Sequence, residues 1–147
     1  MRNKIAPGIG LALARGLACG FALALLVSEA RAQPAPVLES VTWVAEDIGR
    51  LGVIDNLQST LRIEAGRASG NAGCNRFGGS AQIAESQLTF GRLLSTKMAC
   101  PPAVMAQENR FLEALGAARS YSFEGSTLLL RDASGIVLMR LSPMRRE

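Results

Sequence analysis

The sequence predicts an α+β domain that is built mainly from antiparallel strands and carries one helix. Three observations favour this fold class. Short apolar segments alternate with polar residues over most of residues 41–141. Turns rich in Gly, Ser and Asp separate these segments at the spacing of hairpins. Residues 103–115 have helical periodicity instead.

Residues 1–32 have the organisation of a secretory signal peptide. Basic residues precede an unbroken run of apolar and small residues at 16–27, and an A-x-A cleavage site at 30–32 then precedes Gln33. A membrane anchor is the alternative, but this run is shorter than the roughly 20 residues that a spanning helix needs. Cys19 lies in a poor lipoprotein signal. We therefore expect cleavage just before Gln33, a periplasmic or secreted location, and no transmembrane segment afterwards.

The mature chain would contain 115 residues, which is the size of one domain. It has 12 basic and 11 acidic residues, so its net charge is +1 rather than the +4 of the whole sequence. The basic residues are scattered, without a basic stripe and interleaved aromatic residues, which argues against a nucleic-acid partner. We divide the chain into a signal peptide (1–32), a short linker (33–40), one domain (41–143) and a tail (144–147), and expect a monomer.

The strands are predicted from period-two alternation. Trp43 points inward from the first strand, and Leu61 and Ile63 share one face of the second. Residues 47–56 are rich in Gly and predict a loop. The predicted extended segments are 41–44, 59–64, 75–83 paired with 87–90, 92–98, and a meander of 121–123, 127–131 and 136–141.

One segment predicts a helix. Pro101 and Pro102 open it, because proline is acceptable in a first helical turn. Residues 103–115 follow with an apolar stripe, and Gly116 is placed to close the helix as its C′ residue. The stripe consists of Val104, Phe111, Leu112 and Leu115.

Glu108 interrupts this apolar stripe. Its stem could lie along the surface with the carboxylate in water, since acidic residues are seldom fully buried. Alternatively, the carboxylate is partly buried and accepts hydrogen bonds, either from backbone amides of residues 73–77 or from the Arg76 guanidinium. We favour the second interpretation and expect a structural role. Glu108→Gln should then be mild, whereas Glu108→Leu should leave a donor unpaired.

Three motifs occur together in this chain. Residues 70–79 are Gly-Asn-Ala-Gly-Cys-Asn-Arg-Phe-Gly-Gly, residues 95–101 are Ser-Thr-Lys-Met-Ala-Cys-Pro, and residues 107–112 are Gln-Glu-Asn-Arg-Phe-Leu. The combination resembles the META domain (HslJ-like) family, and the resemblance extends over residues 43–141.

The resemblance implies a highly curved, incompletely closed β-barrel with a helix packed across it. It also implies loose links to envelope stress, motility and secretion, without an agreed chemistry. We interpret the motif residues as structural. They are Gly70, Gly73, Asn75, Arg76, Gly79, Thr96, Met98, Glu108 and Phe111.

Cys74 and Cys100 are the two cysteines of the mature chain. An even pair of cysteines in an exported protein favours a disulfide. Two buried free thiols that behave as small apolar residues are the alternative. A Cys74–Cys100 bond would join the glycine-rich turn to the start of the helix.

The residue inventory argues against an enzyme. The chain has no histidine, which removes the usual activating base and the commonest metal ligand. Residues 70–79 lack the Gly-Lys-Ser/Thr of a phosphate-binding loop. We therefore expect no catalytic residue, no metal and no cofactor. The leading hypothesis is an envelope binding module for a lipid or other apolar small molecule. The alternative is a protein–protein adaptor or inhibitor that acts through a sheet edge, and a hydrolase comes last.

Overall fold

The computed structural model describes residues 37–145; the predicted signal peptide, the first half of the linker and the end of the tail lie outside the described residues. Within this range the chain forms nine strands and one helix. They are β1 Thr42–Ile48, β2 Thr60–Glu64, β3 Arg67–Asn71, β4 Arg76–Ala84, β5 Gln87–Phe90, β6 Leu94–Ser95, α1 Pro102–Ala117, β7 Ser120–Glu124, β8 Thr127–Arg131 and β9 Val137–Pro143.

Eight of these strands form a ring of antiparallel pairs. Their order is β1-β2-β3-β4-β5-β7-β8-β9, and β9 pairs with β1. The closure is uneven, because β7 and β8 align five residue pairs whereas β5 and β7 align only Gln87 with Ser120. β6 lies outside the ring, with β4 as its neighbour. The incompletely closed barrel that the resemblance implies is therefore confirmed.

Inward-facing side chains from the strands and the helix fill the interior. Trp43, Leu61 and Ile63 are buried, as their alternation predicts. The Trp43 indole N–H donates to the Leu38 carbonyl at 2.9 Å, so the one polar atom of this side chain is also satisfied. The meander supplies further side chains with no exposed surface: Leu128, Leu130, Met139 and Leu141.

Helix α1 is the one helix among residues 37–145, as predicted, and it extends one residue before and two after the predicted segment. Phe111 and Leu115 are fully buried, and the Phe111 ring meets the Phe77 ring edge-on at 5.7 Å between centroids. No helix in this range is long and apolar enough to cross a membrane.

The prediction that Gly116 closes the helix is wrong. Gly116 lies inside α1, and the chain leaves the helix at Ala118, which is extended and fully buried. The Arg119 guanidinium donates to the Gly116 and Ala118 carbonyls at 2.9 and 2.6 Å. These terminal carbonyls are thus satisfied by a side chain, so the left-handed glycine of a C′ cap is not needed.

Two predicted element boundaries also differ from the observed ones. The first strand continues to Ile48, whose side chain is buried, so the loop predicted at 47–56 begins two residues later. The extended segment predicted at 92–98 forms a strand only at Leu94–Ser95. Beyond Ser95 the backbone is held mainly by a side chain rather than by a strand ladder.

Candidate functional site

A disulfide joins Cys74 to Cys100, with 6.0 Å between their Cα atoms. The predicted pairing is thus present, and the free-thiol alternative does not apply. Cys74 lies in the loop between β3 and β4, and Cys100 lies two residues before α1. The bond therefore holds the glycine-rich loop against the start of the helix.

The Glu108 carboxylate is buried against this loop, with 3% of the residue exposed. It accepts hydrogen bonds from the backbone N–H of Cys74 at 3.0 Å and of Asn75 at 2.6 Å. The Asn75 side-chain amide donates a third at 2.9 Å. Of the two sets of donors predicted from the sequence, the backbone amides are the ones that bond to Glu108 in the structure. The Arg76 side chain is exposed and makes no hydrogen bond to Glu108.

Asn75 connects Glu108 to the chain on the other side of the loop. Its Oδ1 accepts from the Thr96 hydroxyl at 2.8 Å and from the Met98 backbone N–H at 2.7 Å. Its Nδ2 donates to the Met98 carbonyl at 3.2 Å as well as to Glu108. With 1% exposure, Asn75 is the buried link through which the helix positions residues 96–98.

Gln107 forms a second buried connection, which sequence reasoning missed. Its Oε1 accepts from the Ile54 backbone N–H at 2.7 Å, and its Nε2 donates to the Ser59 hydroxyl at 3.1 Å. Ser59 in turn donates to the Ala72 carbonyl at 2.8 Å. Gln107 and Ser59 are both fully buried. The available signal was two adjacent polar residues at 107 and 108 within an otherwise apolar helical face.

The motif glycines lie where the backbone is constrained. A Cβ atom on Gly70 would stand 2.0 Å from the Thr60 carbonyl oxygen, a distance that no side chain tolerates. Gly73 has φ +147°, a conformation that L side chains rarely adopt. Gly79 pairs with Ala68 across the β3–β4 ladder. A Cβ atom on Gly79 would stand 2.7 Å from the Arg92 carbonyl oxygen, so Gly79 permits a close approach of that segment to β4, whereas Gly73 lies in the loop that receives Glu108.

Residues 94–98, which we call the edge segment, form an open edge of the sheet. The Thr96 N–H donates to the Arg76 carbonyl at 3.0 Å, so Thr96 faces β4. The Met98 N–H also points to this side, because it donates to Asn75, which precedes β4. The backbone groups of Ser95 and Lys97 alternate with those of Thr96 and Met98, and so point away from β4. Leu94 and Met98 expose 64% and 58% of their surface.

A groove of about 380 Å³ separates residues 95–100 from helix α1. Met98, Met105 and Leu112 give it an apolar lining, and Lys97 and Asn109 add polar groups. Glu108 also lines it, with its carboxylate already bonded to the loop. The groove thus lies directly beside the edge segment.

The chemistry of the site is that of a structural clamp. Both cysteines are oxidised, and the polar atoms of Asn75, Gln107 and Glu108 bond to protein groups. Within residues 37–145 no group of three or more His, Cys, Asp or Glu side chains is arranged to hold a metal ion.

An antiparallel ring crossed by one helix, with a disulfide-held loop bonded to a helical glutamate, defines a small α+β barrel-like domain. The chain belongs to the META domain family, whose model matches residues 36–144. The motifs at 70–79, 95–101 and 107–112 thus indicated the correct family.

Solved structures with the same fold are known. One is an NMR structure of a protein from Burkholderia xenovorans, with 24% identity, a TM-score of 0.59, and coverage of 74% of this chain and 85% of that one. Another is a crystal structure of a DUF4847-family protein from Bacteroides vulgatus ATCC 8482, with 17% identity, a TM-score of 0.54, and coverage of 76% and 97%. A further NMR structure has 23% identity, a TM-score of 0.57, and coverage of 71% and 90%. A comparison with curated proteins gives no match.

Proposed function

We propose that this protein is a non-catalytic interaction module of the cell envelope that binds an extended segment of a partner protein along the edge segment. The open edge of β6 is the observation that carries this proposal. The backbone groups of Ser95 and Lys97 point away from β4 and can pair with an added strand. The exposed side chains of Leu94 and Met98, at the two ends of the edge segment, would supply apolar contacts to that strand.

The buried clamp supports a binding role for this edge. Asn75 and the disulfide hold residues 96–100 in place, so that little conformational entropy would be lost when a partner pairs there. An extended chain in the groove would also reach Met105 and Leu112 on the helix. A fixed, exposed strand edge beside an apolar groove is a favourable arrangement for strand addition.

The earlier hypothesis of an apolar ligand between sheet and helix receives less support. The side chains that would line such a site, including Phe111, Leu115 and Leu61, have no exposed surface. An acyl chain in this position would have to displace packed core residues. The groove beside the edge segment is the better position for any apolar group.

The absence of histidine and the bonding of Glu108 to the loop support a non-catalytic role. The leader at 1–32 supports an envelope location, and the link to envelope stress stays a prediction from the family resemblance.

Site-specific photo-crosslinking in the source cells tests the proposal. A photoreactive residue at Leu94 should give a discrete adduct with another protein, whereas one at Ile136, which is 56% exposed, should not. Ser95→Pro removes an outward N–H and leaves the inward Thr96 bond intact, so it should abolish the adduct without lowering the melting temperature. Equal labelling from both positions, or an adduct that survives Ser95→Pro, would contradict strand addition.

A further inference from the structure

We infer that the partner segment is acidic, with at least one apolar side chain. This inference rests on the proposed function and specifies the chemistry of its partner. It follows from how charge is distributed over the ring.

The part of the chain that carries the edge segment has a strong excess of basic residues. Residues 65–107, which include β3 to β6, contain four basic residues and one acidic residue, a net charge of +3, and Glu108, which follows them and lines the groove, lowers this to +2. Residues 37–64 contain two basic and five acidic residues, a net charge of −3. The near-neutral mature chain is therefore divided into oppositely charged regions.

The four cations of residues 65–107 have no internal ion pair. Among the described residues the salt bridges are Arg62–Glu64 and Arg140–Glu124, and both lie outside this range. The four cations, all exposed, are Arg67, Arg76, Arg92 and Lys97. Their charge is thus not neutralised by an ion pair within the described chain and is available to a partner.

Lys97 lies in the edge segment itself, and it is the only lysine of the mature chain. A lysine on an open edge disfavours pairing with an identical edge, because the two cations would repel each other. The same cation attracts an acidic strand. A second copy that pairs through its own edge segment is therefore a poor occupant, whereas a segment with carboxylates beside an apolar residue complements Lys97, Leu94 and Met98.

A peptide titration tests this inference. Three end-blocked hexapeptides, Ser-Glu-Val-Glu-Val-Glu and its forms with every Glu replaced by Gln or by Lys, would be added to ¹⁵N-labelled protein containing residues 33–147. The Glu peptide should shift the amide signals of Ser95 and Lys97 and weaken with added salt. The Gln peptide should bind about fivefold more weakly for each cation engaged, the upper range for exposed ion pairs.

Charge reversal supplies the matched control. Lys97→Glu should remove most of the preference for the Glu peptide, because the cation of the edge segment becomes an anion while Arg67, Arg76 and Arg92 remain. Arg50→Glu makes the same charge change in the acidic region and should leave the preference unaltered. Because Lys97 and Arg50 are both exposed, neither variant should unfold the domain.

The outcomes separate the two proposals. If all three peptides shift Ser95 and Lys97 with equal affinity, the edge binds strands but the inference of an acidic partner is wrong. If no peptide shifts these amides, both the inference of an acidic partner and the proposed function are wrong. Binding of the Glu peptide that shifts Arg67 and Arg76 instead would indicate a charged face rather than a strand edge. If phosphatidylglycerol vesicles broaden the edge amides and the Glu peptide does not, the partner is an anionic membrane, which also overturns the inference.

Discussion

Helix α1 has two buried stretches of opposite chemistry. Phe111, Ala114 and Leu115 pack against the ring through apolar contact, which has no preferred direction. Gln107 and Glu108, one turn earlier, make directional bonds to two separate loops, which connect β1 to β2 and β3 to β4. The apolar stretch stabilises the helix on the ring. The polar stretch determines which loop atoms the helix contacts. Through Asn75, the polar stretch also positions the edge segment.

The largest effect should come from the apolar stretch. Phe111→Ala removes a fully buried ring that contacts Phe77, and it should lower the free energy of unfolding by about 3–5 kcal/mol. Urea denaturation measures the change. Ile136→Ala, at an exposed position, is the control and should stay within about 0.5 kcal/mol. A loss below about 1 kcal/mol for Phe111→Ala would show that the apolar stretch is not the main support of the helix.

Removal of the disulfide should have the next largest effect. The bond closes a loop of 27 residues, counting both ends of its sequence separation of 26. In the chain-entropy account, Cys74→Ala with Cys100→Ala should cost about 3.5 kcal/mol. Comparing the oxidised parent with this double variant in urea gives the value. Equal stability would mean that the polar stretch and the core hold the loop without the covalent bond.

Glu108→Leu tests the polar stretch directly. It leaves the N–H groups of Cys74 and Asn75 without their acceptor in a buried position. An unpaired buried donor costs about 1–3 kcal/mol, and water from the groove can satisfy part of the loss, so we expect roughly 2–3 kcal/mol in total. The amide signals of Thr96 and Met98 should shift as well. A variant as stable as the parent would show that the carboxylate has no net structural role.

Glu108→Gln should have the smallest effect, as the sequence alone suggested, and the structure gives the reason for a small measurable loss. The Gln oxygen can accept from the two backbone amides, which leaves its NH₂ facing the Asn75 Nδ2 donor. The Asn75 side-chain amide cannot flip by half a turn, because its oxygen already accepts hydrogen bonds from Thr96 and Met98. We expect a loss of about 1 kcal/mol.

A double-mutant cycle with Asn75→Asp checks that reason. Asp offers an acceptor to the Gln NH₂, so the double variant should be less destabilised than the two single variants added together. Additive losses would show that the facing donors are not the cause.

Sequence reasoning succeeded where a local pattern carries the information. Alternation placed Trp43, Leu61 and Ile63 in the core, and helical periodicity placed Phe111 and Leu115 there. The ring itself has no such signal. Pairing of β1 with β9, or of β5 with β7, depends on chain segments far apart in sequence, and the barrel was expected only from the family resemblance.

The site was predictable only in part, for a similar reason. Cys74, Cys100 and Glu108 were conspicuous because of their chemistry or their place in an apolar stripe. Asn75 was expected only to be a structural residue of the family motif, whereas its side chain bridges Glu108 to residues 96–98. Gln107 was missed because a polar helical residue next to a glutamate is usually on the surface. Gly116 was predicted to cap the helix because glycine is the usual C′ residue, whereas the Arg119 side chain bonds to the terminal carbonyls instead.

The pairing of the first strand of the ring with the last also bears on how the chain folds. Trp43 aligns with Pro143, 100 residues further on, and the Met144 N–H donates to the Thr42 carbonyl at 2.7 Å. During synthesis β9 is the last of these strands to emerge. Until then β1 cannot form its pair with β9, whereas the hairpins β3–β4, β4–β5 and β7–β8 can already form. Contacts between distant segments close slowly. In pulsed hydrogen exchange during refolding, the β1–β9 amides should therefore be the last to gain protection, and a chain truncated before β9 should leave β1 unprotected, with the Trp43 side of the core open to aggregation.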